Sequence, residues 1–321
     1  MAETGEYKRI SALVDRWLTF HKGETFELDM IARHLDIKEA VSRDYLTQKL
    51  SYEVRHGILE KNNRLYRSVD NTIKYIDWVG ASEGQTIDLG WPLDRENNTS
   101  FDFEDHIVIS PGDIIVIAGV SNMGKTAMIL NLLWENMDRY PCTLMGNEYV
   151  PSKFKRRVSR MNWANPLKED GTAKFELIER RDGWKDIIRP NNINLIDWIN
   201  LGDNFYQIGM IIEGIQSVLG GGIAVISLQK SEGKKLGLGD QFGEHLSSVY
   251  LVIDFERLTV RKAKEWRGKN PNGNTYGFQI VDGGTQFHNI RRLKKCPRCY
   301  GTGHSKGGEC DDCYSKGWVD A

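Results

Sequence analysis

Eight residues near the middle of the chain decide the fold: Gly119-Val120-Ser121-Asn122-Met123-Gly124-Lys125-Thr126. They match the phosphate-loop pattern G-x-x-x-x-G-K-[ST] at every fixed position. The apolar run at residues 113–118 has the character of a buried strand, and the apolar run at residues 127–133 has that of a helix. The order strand, glycine loop, helix predicts a nucleotide site rather than an ordinary glycine turn.

In a loop of this kind, backbone N–H groups close around phosphates at the N-terminus of a helix. Gly119, Asn122 and Gly124 are therefore candidate nucleotide-binding residues. Lys125 would reach the β- and γ-phosphates, and the Thr126 hydroxyl would ligate Mg²⁺. We expect ATP and Mg²⁺ as the ligands.

Composition limits the remaining possibilities. The 321 residues include 43 Lys and Arg and 44 Asp and Glu, so any attraction to nucleic acid must come from local basic patches. No apolar run approaches the roughly 18 residues that cross a bilayer. Four of the five cysteines lie between 296 and 313, in a chain without an apolar secretory start, which favours a metal site over disulfides. We expect a soluble cytoplasmic protein with no membrane partner.

The first 70 residues predict a winged helix-turn-helix. Apolar residues at helical spacing mark three helices, the third over about 38–55, and a hairpin follows at 57–67. The third helix could then enter a DNA groove with Lys38, Arg43, Tyr45, Gln48 and Lys49. The wing would place Arg64 and Arg67 near the phosphates. Acidic residues beside these bases leave protein docking as the alternative. Residues 71–105 are expected to be a linker, with one helix over 72–79.

Three later predicted strands end in polar side chains that suit phosphate chemistry. Glu148 follows the strand at 142–146, where a carboxylate can orient a water toward the γ-phosphate, although a solvated loop glutamate fits equally. Asp197 closes an apolar strand in the manner of the acid that completes a Mg²⁺ shell, and a turn-capping aspartate is the alternative. Gln229 ends the strand at 223–229.

The order of phosphate loop, helix, strand, glutamate and an arginine-bearing helix at 152–158 resembles the RecA and DnaB helicase superfamily. The resemblance covers residues 111–290 and is nearer to phage or mobile-element DnaB-like ATPases than to recombinases. It implies an α/β, RecA-like P-loop NTPase core over 106–290, with Glu148 as the catalytic base and Gln229 as a γ-phosphate sensor. It further implies a DNA-gripping loop at 231–240 and a ring or filament of identical subunits. The N-terminal segment differs from the helical domain of replicative DnaB.

Ring-forming members of that superfamily place a Lys-x-Arg-like pair against the nucleotide of a neighbouring subunit. The corresponding residues here are Lys262 and Lys264, with Arg267 displaced along the chain. We expect one of these three cations to act in trans. Absence of an arginine finger would predict slow turnover, because the finger neutralises charge that develops on the γ-phosphate.

The C-terminal segment, residues 291–321, predicts a small zinc module. Two C-x-x-C pairs, Cys296 with Cys299 and Cys310 with Cys313, suit a tetrahedral Zn²⁺, and so short a segment has no apolar core. The pairs resemble the C-x-x-C-x-G-x-G half-repeats of the DnaJ zinc domain, with Ser315 breaking the second copy. A redox dithiol is the alternative. The basic run at 291–295 precedes the first pair and could contact phosphates.

The sequence as a whole predicts an ATP-hydrolysing, helicase-like motor that acts on single-stranded or forked DNA in replication or recombination. Three alternatives remain open. One is an ATP-switched DNA-binding regulator or helicase loader, the second is a strand-exchange recombinase, and the third is a protein-remodelling scaffold with no role on DNA.

Overall fold

The structure is a computed structural model of the chain. It describes residues 2–73, 75, 78–79, 84–199, 207–230, 241–305 and 308–321. The chain divides into two compact units, residues 1–81 and 82–321, each of which is described by itself. Within the described ranges, no helix combines the length and the apolar character needed to cross a membrane.

The first unit combines three helices with a small antiparallel sheet. In chain order its elements are α1 (Ala2–Phe20), β1 (Thr25–Glu27), α2 (Leu28–His34), α3 (Ala40–Arg55), β2 (Leu59–Asn62) and β3 (Leu65–Ser68). β3 lies between β1 and β2, and apolar side chains of the helices and the sheet share one core that includes Ile10, Ile31, Leu46, Phe26 and Tyr66. The sequence predicted the three helices and the hairpin but not β1.

The segment after this unit differs from the sequence prediction. A helix was expected over residues 72–79, yet residues 72, 73, 75, 78 and 79, which the structure describes, are not helical. Ile73, Tyr75 and Trp78 are exposed, so they have no apolar surface to pack against. A short helix without a buried face is only marginally stable, and the expectation of a helix here was wrong.

The second unit is built on one ten-stranded sheet with helices on both faces. In chain order its elements are β4 (Leu93–Asp94), β5 (Thr99–Ser100), α4 (Phe103–His106), β6 (Ile114–Gly119), α5 (Lys125–Asn136), β7 (Cys142–Gly146), α6 (Pro151–Val158), β8 (Phe175–Glu179), β9 (Ile193–Ile199), α7 (Ile208–Gln216), β10 (Ile223–Gln229), α8 (Gln241–Leu246), β11 (Val249–Asp254), β12 (Arg257–Ala263), β13 (Thr275–Val281), β14 (Gln286–Lys295), β15 (His304–Ser305), β16 (Gly308–Glu309) and β17 (Trp318–Asp320).

The sheet has a parallel half and an antiparallel half. Its order is β17-β14-β13-β12-β11-β6-β10-β9-β7-β8. The six strands from β11 to β8 are mutually parallel, whereas β12, β13, β14 and β17 pair antiparallel. This arrangement confirms the predicted α/β class and is consistent with a RecA-like core.

Alternation of side chains along β6 explains why both faces of the sheet are covered. Ile115 and Ile117 pack into the core that contains α5, while Ile114 and Val116 pack into the core that contains α7. Successive residues of a strand point to opposite faces, so an uninterrupted apolar run serves two cores at once. The carboxyl ends of the parallel strands then meet at one edge, which is where the phosphate loop begins.

Two strands of the sheet were absent from the sequence prediction. β8 lies at the edge of the parallel half, and its residues are only partly buried or exposed, so it lacks the apolar run that marks an inner strand. β17 has three residues and pairs with β14. The four clustered cysteines lie between β14 and β17, so the segment that carries them starts and ends in the same sheet.

Candidate functional site

The phosphate loop has the geometry that its sequence predicts. β6 ends at Gly119, α5 begins at Lys125, and the loop between them uses positive φ at Asn122 (61°) and Gly124 (108°). A Cβ added at Gly124 would lie 2.4 Å from Cδ1 of Ile280, so a larger residue would displace that side chain and would strain the backbone at this φ. The Gly119 carbonyl accepts hydrogen bonds inside the sheet, and Gly119 does not line the cavity itself.

A cavity of about 500 Å³ opens beside this loop. Its size falls within the roughly 300–1,000 Å³ typical of small-molecule sites. The residues predicted from three separate strands line it together with the loop: Asn122, Gly124, Lys125, Thr126, Glu148, Asp197 and Gln229. The structure therefore brings together the predicted phosphate-binding residues, both carboxylates and the glutamine.

Asp197 is the centre of a hydrogen-bond cluster in this cavity. Its Oδ1 accepts from the Thr126 hydroxyl at 3.3 Å and from the Ser227 hydroxyl at 3.1 Å. Its Oδ2 accepts from the Tyr149 hydroxyl at 2.7 Å. A carboxylate oriented by three donors beside a threonine hydroxyl is a suitable place for Mg²⁺, whose shell combines protein oxygens with water. The geometry favours the metal role of Asp197 over that of a turn cap.

Lys125 is folded back on the loop that carries it. Its ammonium donates to the carbonyl oxygens of Gly119 at 2.9 Å and Val120 at 2.8 Å. Burial lowers the pKa of Lys125 below the ordinary lysine value, and the charges of Asp197 and Glu148 act in the opposite direction. A polyphosphate in the cavity would supply the anionic partner that offsets this burial.

Tyr149 is a site residue that the sequence did not single out, although it directly follows Glu148. Besides its bond to Asp197, its ring packs edge-on against Phe154 with centroids 5.3 Å apart. Burial raises the pKa of Tyr149 well above its ordinary value, and the adjacent Asp197 charge adds to this effect. A Cβ at Gly146 would lie 2.8 Å from the Tyr149 ring, so glycine is needed there for the ring to reach Asp197.

Arg157 brings a cation of the same chain to the cavity. It lies on α6 and lines the cavity together with Glu148. Its Nη2 donates to the Gly284 carbonyl at 3.1 Å, while its buried Nε has no hydrogen-bond partner within the described part of the chain. The sequence placed an arginine-bearing helix here but gave the arginine no role.

The turn between β13 and β14 holds Arg157 in place. Besides Gly284, this turn offers the Thr285 carbonyl to the Asn131 amide of α5 at 2.7 Å. Asn131 is buried and also donates to the Ala127 carbonyl. Arg157 is thereby linked through one short turn to the helix that begins at the phosphate loop.

The three candidate trans-acting cations do not line this cavity. The Lys262 ammonium donates to the Glu244 carbonyl at 2.7 Å and to the His245 carbonyl at 2.9 Å, at the end of α8. Arg267 donates to the Glu104 carbonyl at 3.0 Å, and Lys264 is exposed. Lys262 and Arg267 thus have intrachain partners, and a role in trans for any of the three stays a prediction.

Gln229 ends β10 at the cavity and is followed by a buried ion pair. Lys230 is 4 % exposed and pairs with Asp254 at 2.5 Å, and Asp254 also pairs with Arg257. The predicted DNA-gripping loop at 231–240 lies outside the described residues. The ion pair therefore ties the end of β10 to the end of β11 immediately before that loop.

The four C-terminal cysteines form a compact, buried cluster. All four sulfurs lie within 4.8 Å of one another, with Cys296 and Cys310 3.8 Å apart and Cys299 and Cys313 3.6 Å apart. Zn–S bonds of about 2.3 Å in a tetrahedron imply sulfurs about 3.8 Å apart. The cluster therefore fits Zn²⁺, and the sequence-predicted ligand set comes together in space.

Backbone groups around the cysteines repeat in two copies. The Thr302 N–H donates to the Cys299 carbonyl at 3.0 Å, and the Lys316 N–H donates to the Cys313 carbonyl at 2.9 Å. Gly303 and Gly317 occupy matching positions, with φ of 78° and 77°. Ser315, which replaces the glycine expected in the second copy, keeps a φ of 60°, so the repeat survives at the cost of a strained serine.

The predicted DNA-facing charges of the first unit are mostly paired within that unit. Lys49 is 6 % exposed and bonded to Asp15 and Glu53, so its prediction as a groove contact was wrong. The other pairs are Lys38 with Asp36, Arg43 with Asp29 and Arg67 with Glu60. This pairing leaves less free positive charge on the first unit than the sequence suggested, and both DNA contact and protein docking stay predictions.

The sequence matches no family model and no curated protein. Among solved structures, the fold is similar to a KaiC-like protein, PH0186, from the hyperthermophilic archaeon Pyrococcus horikoshii OT3, with 14 % identity and a TM-score of 0.46. The match covers 65 % of this chain and 99 % of that chain.

Proposed function

We propose that this chain is a P-loop ATPase whose hydrolysis is coupled to DNA, as in a helicase-like motor. The observation that supports the ATPase most directly is the convergence of Lys125, Thr126, Asp197 and Glu148 on one cavity. Two of these residues come from the ends of β7 and β9, and two begin α5 directly after the phosphate loop. Phosphoryl transfer requires such a combination of phosphate cradle, metal site and water-orienting carboxylate.

Each residue has a distinct role in this proposal. Backbone N–H groups of the loop and the Lys125 ammonium hold the β- and γ-phosphates, for which Lys125 leaves its two carbonyl partners. Thr126 and Asp197 would hold Mg²⁺, which neutralises charge on the phosphate oxygens. Glu148 orients the attacking water and accepts its proton, and Gln229 senses whether the γ-phosphate is present.

Arg157 supplies the positive charge that the sequence assigned to a neighbouring subunit. An arginine in the cavity of its own chain can stabilise the charge on the transferring phosphoryl group in cis. Its Nη2 donates a hydrogen bond to the Gly284 carbonyl. Its Nε has no hydrogen-bond partner among the described residues and is the donor that could gain one when phosphate binds.

The experiment compares ATP turnover of the wild type with that of Lys125→Ala and Glu148→Gln, each with and without single-stranded DNA. We expect Lys125→Ala to lose both nucleotide binding and turnover. Glu148→Gln should retain binding and lose turnover by at least about 100-fold. Turnover that survives both substitutions would refute the ATPase, and turnover that ignores DNA would refute the coupling.

A second candidate is an ATP-switched regulator or loader. The hydrogen bonds of Lys262 support it, because they engage one of the cations that a ring-shaped motor would use in trans with the end of α8 of its own chain. A motor shows steady-state turnover that accelerates on DNA and unwinds a forked duplex. A switch hydrolyses about one ATP per bound state and leaves the fork intact, and a recombinase exchanges strands without unwinding.

Oligomeric state and the zinc site complete the proposal. We propose that the chain assembles into a ring or filament of identical subunits, which electron microscopy with a non-hydrolysable ATP analogue and DNA would reveal. Zn²⁺ at the four cysteines would stabilise the fold of the C-terminal module, because metal binding is coupled to folding in segments of this size. Cysteine thiols stay reduced, and so able to bind metal, in a reducing compartment. Elemental analysis should find one zinc per chain, absent from a Cys296→Ser and Cys310→Ser variant.

A further inference from the structure

Two tyrosines on the cysteine module remain unexplained by the fold. Tyr300 and Tyr314 are 80 % and 83 % exposed, and each directly follows the second cysteine of its C-x-x-C pair. Among the described residues, neither ring packs against another aromatic ring. Aromatic side chains normally contribute to stability by burial, so these two contribute little to holding the module together.

The backbone fixes both tyrosines in the same uncommon conformation. Their φ angles are 53° and 48°, in the left-handed region that costs free energy for any residue with a Cβ. The turns that carry them make matching hydrogen bonds, from Thr302 to the Cys299 carbonyl and from Lys316 to the Cys313 carbonyl. The module therefore presents two rings from equivalent rigid turns, at a cost in conformational energy.

The segment that carries these rings has a net positive charge. Residues 291–321 contain seven Lys and Arg and four Asp and Glu, although the whole chain is nearly neutral. Arg298 is paired with Asp312, but Lys294, Lys295 and Lys316 are exposed and form no ion pair within the described residues. The side-chain carbons of Lys295 lie beside Gly301, the residue after Tyr300, so this lysine belongs to the turn that carries the first ring.

We propose that Tyr300, Tyr314 and the adjacent lysines form a binding surface for single-stranded nucleic acid. Bases stack on exposed aromatic rings with little dependence on sequence, while lysines neutralise the phosphates that connect them. The rings are held apart from any core, so bases can reach their faces. This proposal deepens the proposed function, because it places the DNA contact on the cysteine module instead of on α3.

The test measures binding of a fluorescein-labelled oligothymidylate to the full-length, zinc-containing protein by fluorescence anisotropy. Stacking contributes about 1–3 kcal/mol per base, so a Tyr300→Ala and Tyr314→Ala variant should bind at least about 25-fold more weakly. The corresponding double change to phenylalanine should stay within about threefold of the wild type. Phe255→Ala, at an exposed position between β11 and β12, serves as the matched control and should not alter binding.

The lysines have a separate readout. Each phosphate contact to a single strand contributes about 0.7 to the slope of log Kd against log salt. A Lys294→Gln and Lys295→Gln variant should therefore lower that slope by about 1.4, whereas the tyrosine variant should leave it unchanged. Zinc content and thermal unfolding of every variant must equal those of the wild type.

Three outcomes would overturn the proposal. They are no binding of the oligonucleotide by the wild type, equal affinity of the wild type and the double alanine variant, and weaker binding that appears only in variants that have unfolded. The ATPase is judged independently, because Lys125-dependent turnover without DNA does not require this surface. For the alanine variant we expect unchanged turnover without DNA together with weakened DNA binding.

Discussion

Tyr149→Phe tests whether the hydroxyl on Asp197 sets the affinity of the nucleotide site for Mg²⁺. Thr126 and Ser227 both donate to Oδ1 of Asp197, whereas Tyr149 donates to Oδ2. Phenylalanine keeps the ring and its contact with Phe154, so the change removes one hydrogen bond and little packing. Tyr149 acts here as a positioning residue.

The expected magnitude follows from burial. Asp197 is 9 % exposed, so water does not readily replace the lost donor. A hydrogen bond to a charged group contributes about 1.5–3 kcal/mol, and loss of a group that orients a metal ligand typically weakens metal binding about 10- to 100-fold. The Mg²⁺ concentration for half-maximal turnover should rise by that factor, while kcat at saturating Mg²⁺ stays within about threefold.

The assay is a Mg²⁺ titration of ATP turnover at fixed ATP. Tyr140→Phe is the matched control, because its hydroxyl donates to the Asp88 carbonyl at 3.2 Å and does not line the cavity. An unchanged Mg²⁺ midpoint in Tyr149→Phe would refute the reasoning. A fall in kcat with an unchanged midpoint would instead assign Tyr149 to the chemical step.

Three further predictions concern other parts of the chain. Arg157→Ala should lower kcat at least about 100-fold with little change in ATP affinity, and Arg157→Lys should recover part of the lost turnover. Arg156→Ala, on the exposed side of α6, is the control and should leave kcat unchanged in the same steady-state assay. Lys49→Ala removes the lysine that pairs with the buried Glu53 and should destabilise the first unit by about 3–5 kcal/mol. Hydrogen exchange of residues 5–68 measures this loss, and exchange equal to that of the wild type would argue against the buried pair. Ser315→Gly relieves a left-handed serine whose buried hydroxyl has no hydrogen-bond partner among the described residues. It should therefore slow zinc loss to a chelator about fivefold, and faster loss would contradict the strain.

The nucleotide site shows which parts of a fold a sequence can predict. Glu148, Asp197 and Gln229 could be found because each follows or ends an apolar strand, and parallel strands deliver their carboxyl ends to one edge. Arg157 and Ser227 could not be assigned a role in that way. The place of Arg157 depends on the β13–β14 turn, more than 120 residues later in the chain, and Ser227 lies inside an apolar strand without any local signal.

The wrong prediction for Lys49 and the missed strand β8 have related causes. Lys49 was assigned to a DNA groove because lysine is usually exposed, yet Asp15 on α1 and Glu53 on α3 compensate its burial, and the partner on α1 is distant in sequence. β8 was missed because an edge strand with one open face needs no continuous apolar run. The winged helix, the zinc ion, the DNA partner and the oligomer remain predictions.

β14 connects the two ends of the second unit mechanically. Its ten residues run from the turn that contacts Arg157 to the first cysteine of the C-terminal cluster, with one irregularity at Asn289, whose φ is 53°. β17 returns from that cluster to pair with β14, so a force on the module pulls both strands in the same direction. Such a force would load the β13–β14 ladder in shear, with its six residue pairs resisting together. β14 is thus the strand along which tension at the cysteine cluster would reach the turn beside the candidate nucleotide cavity.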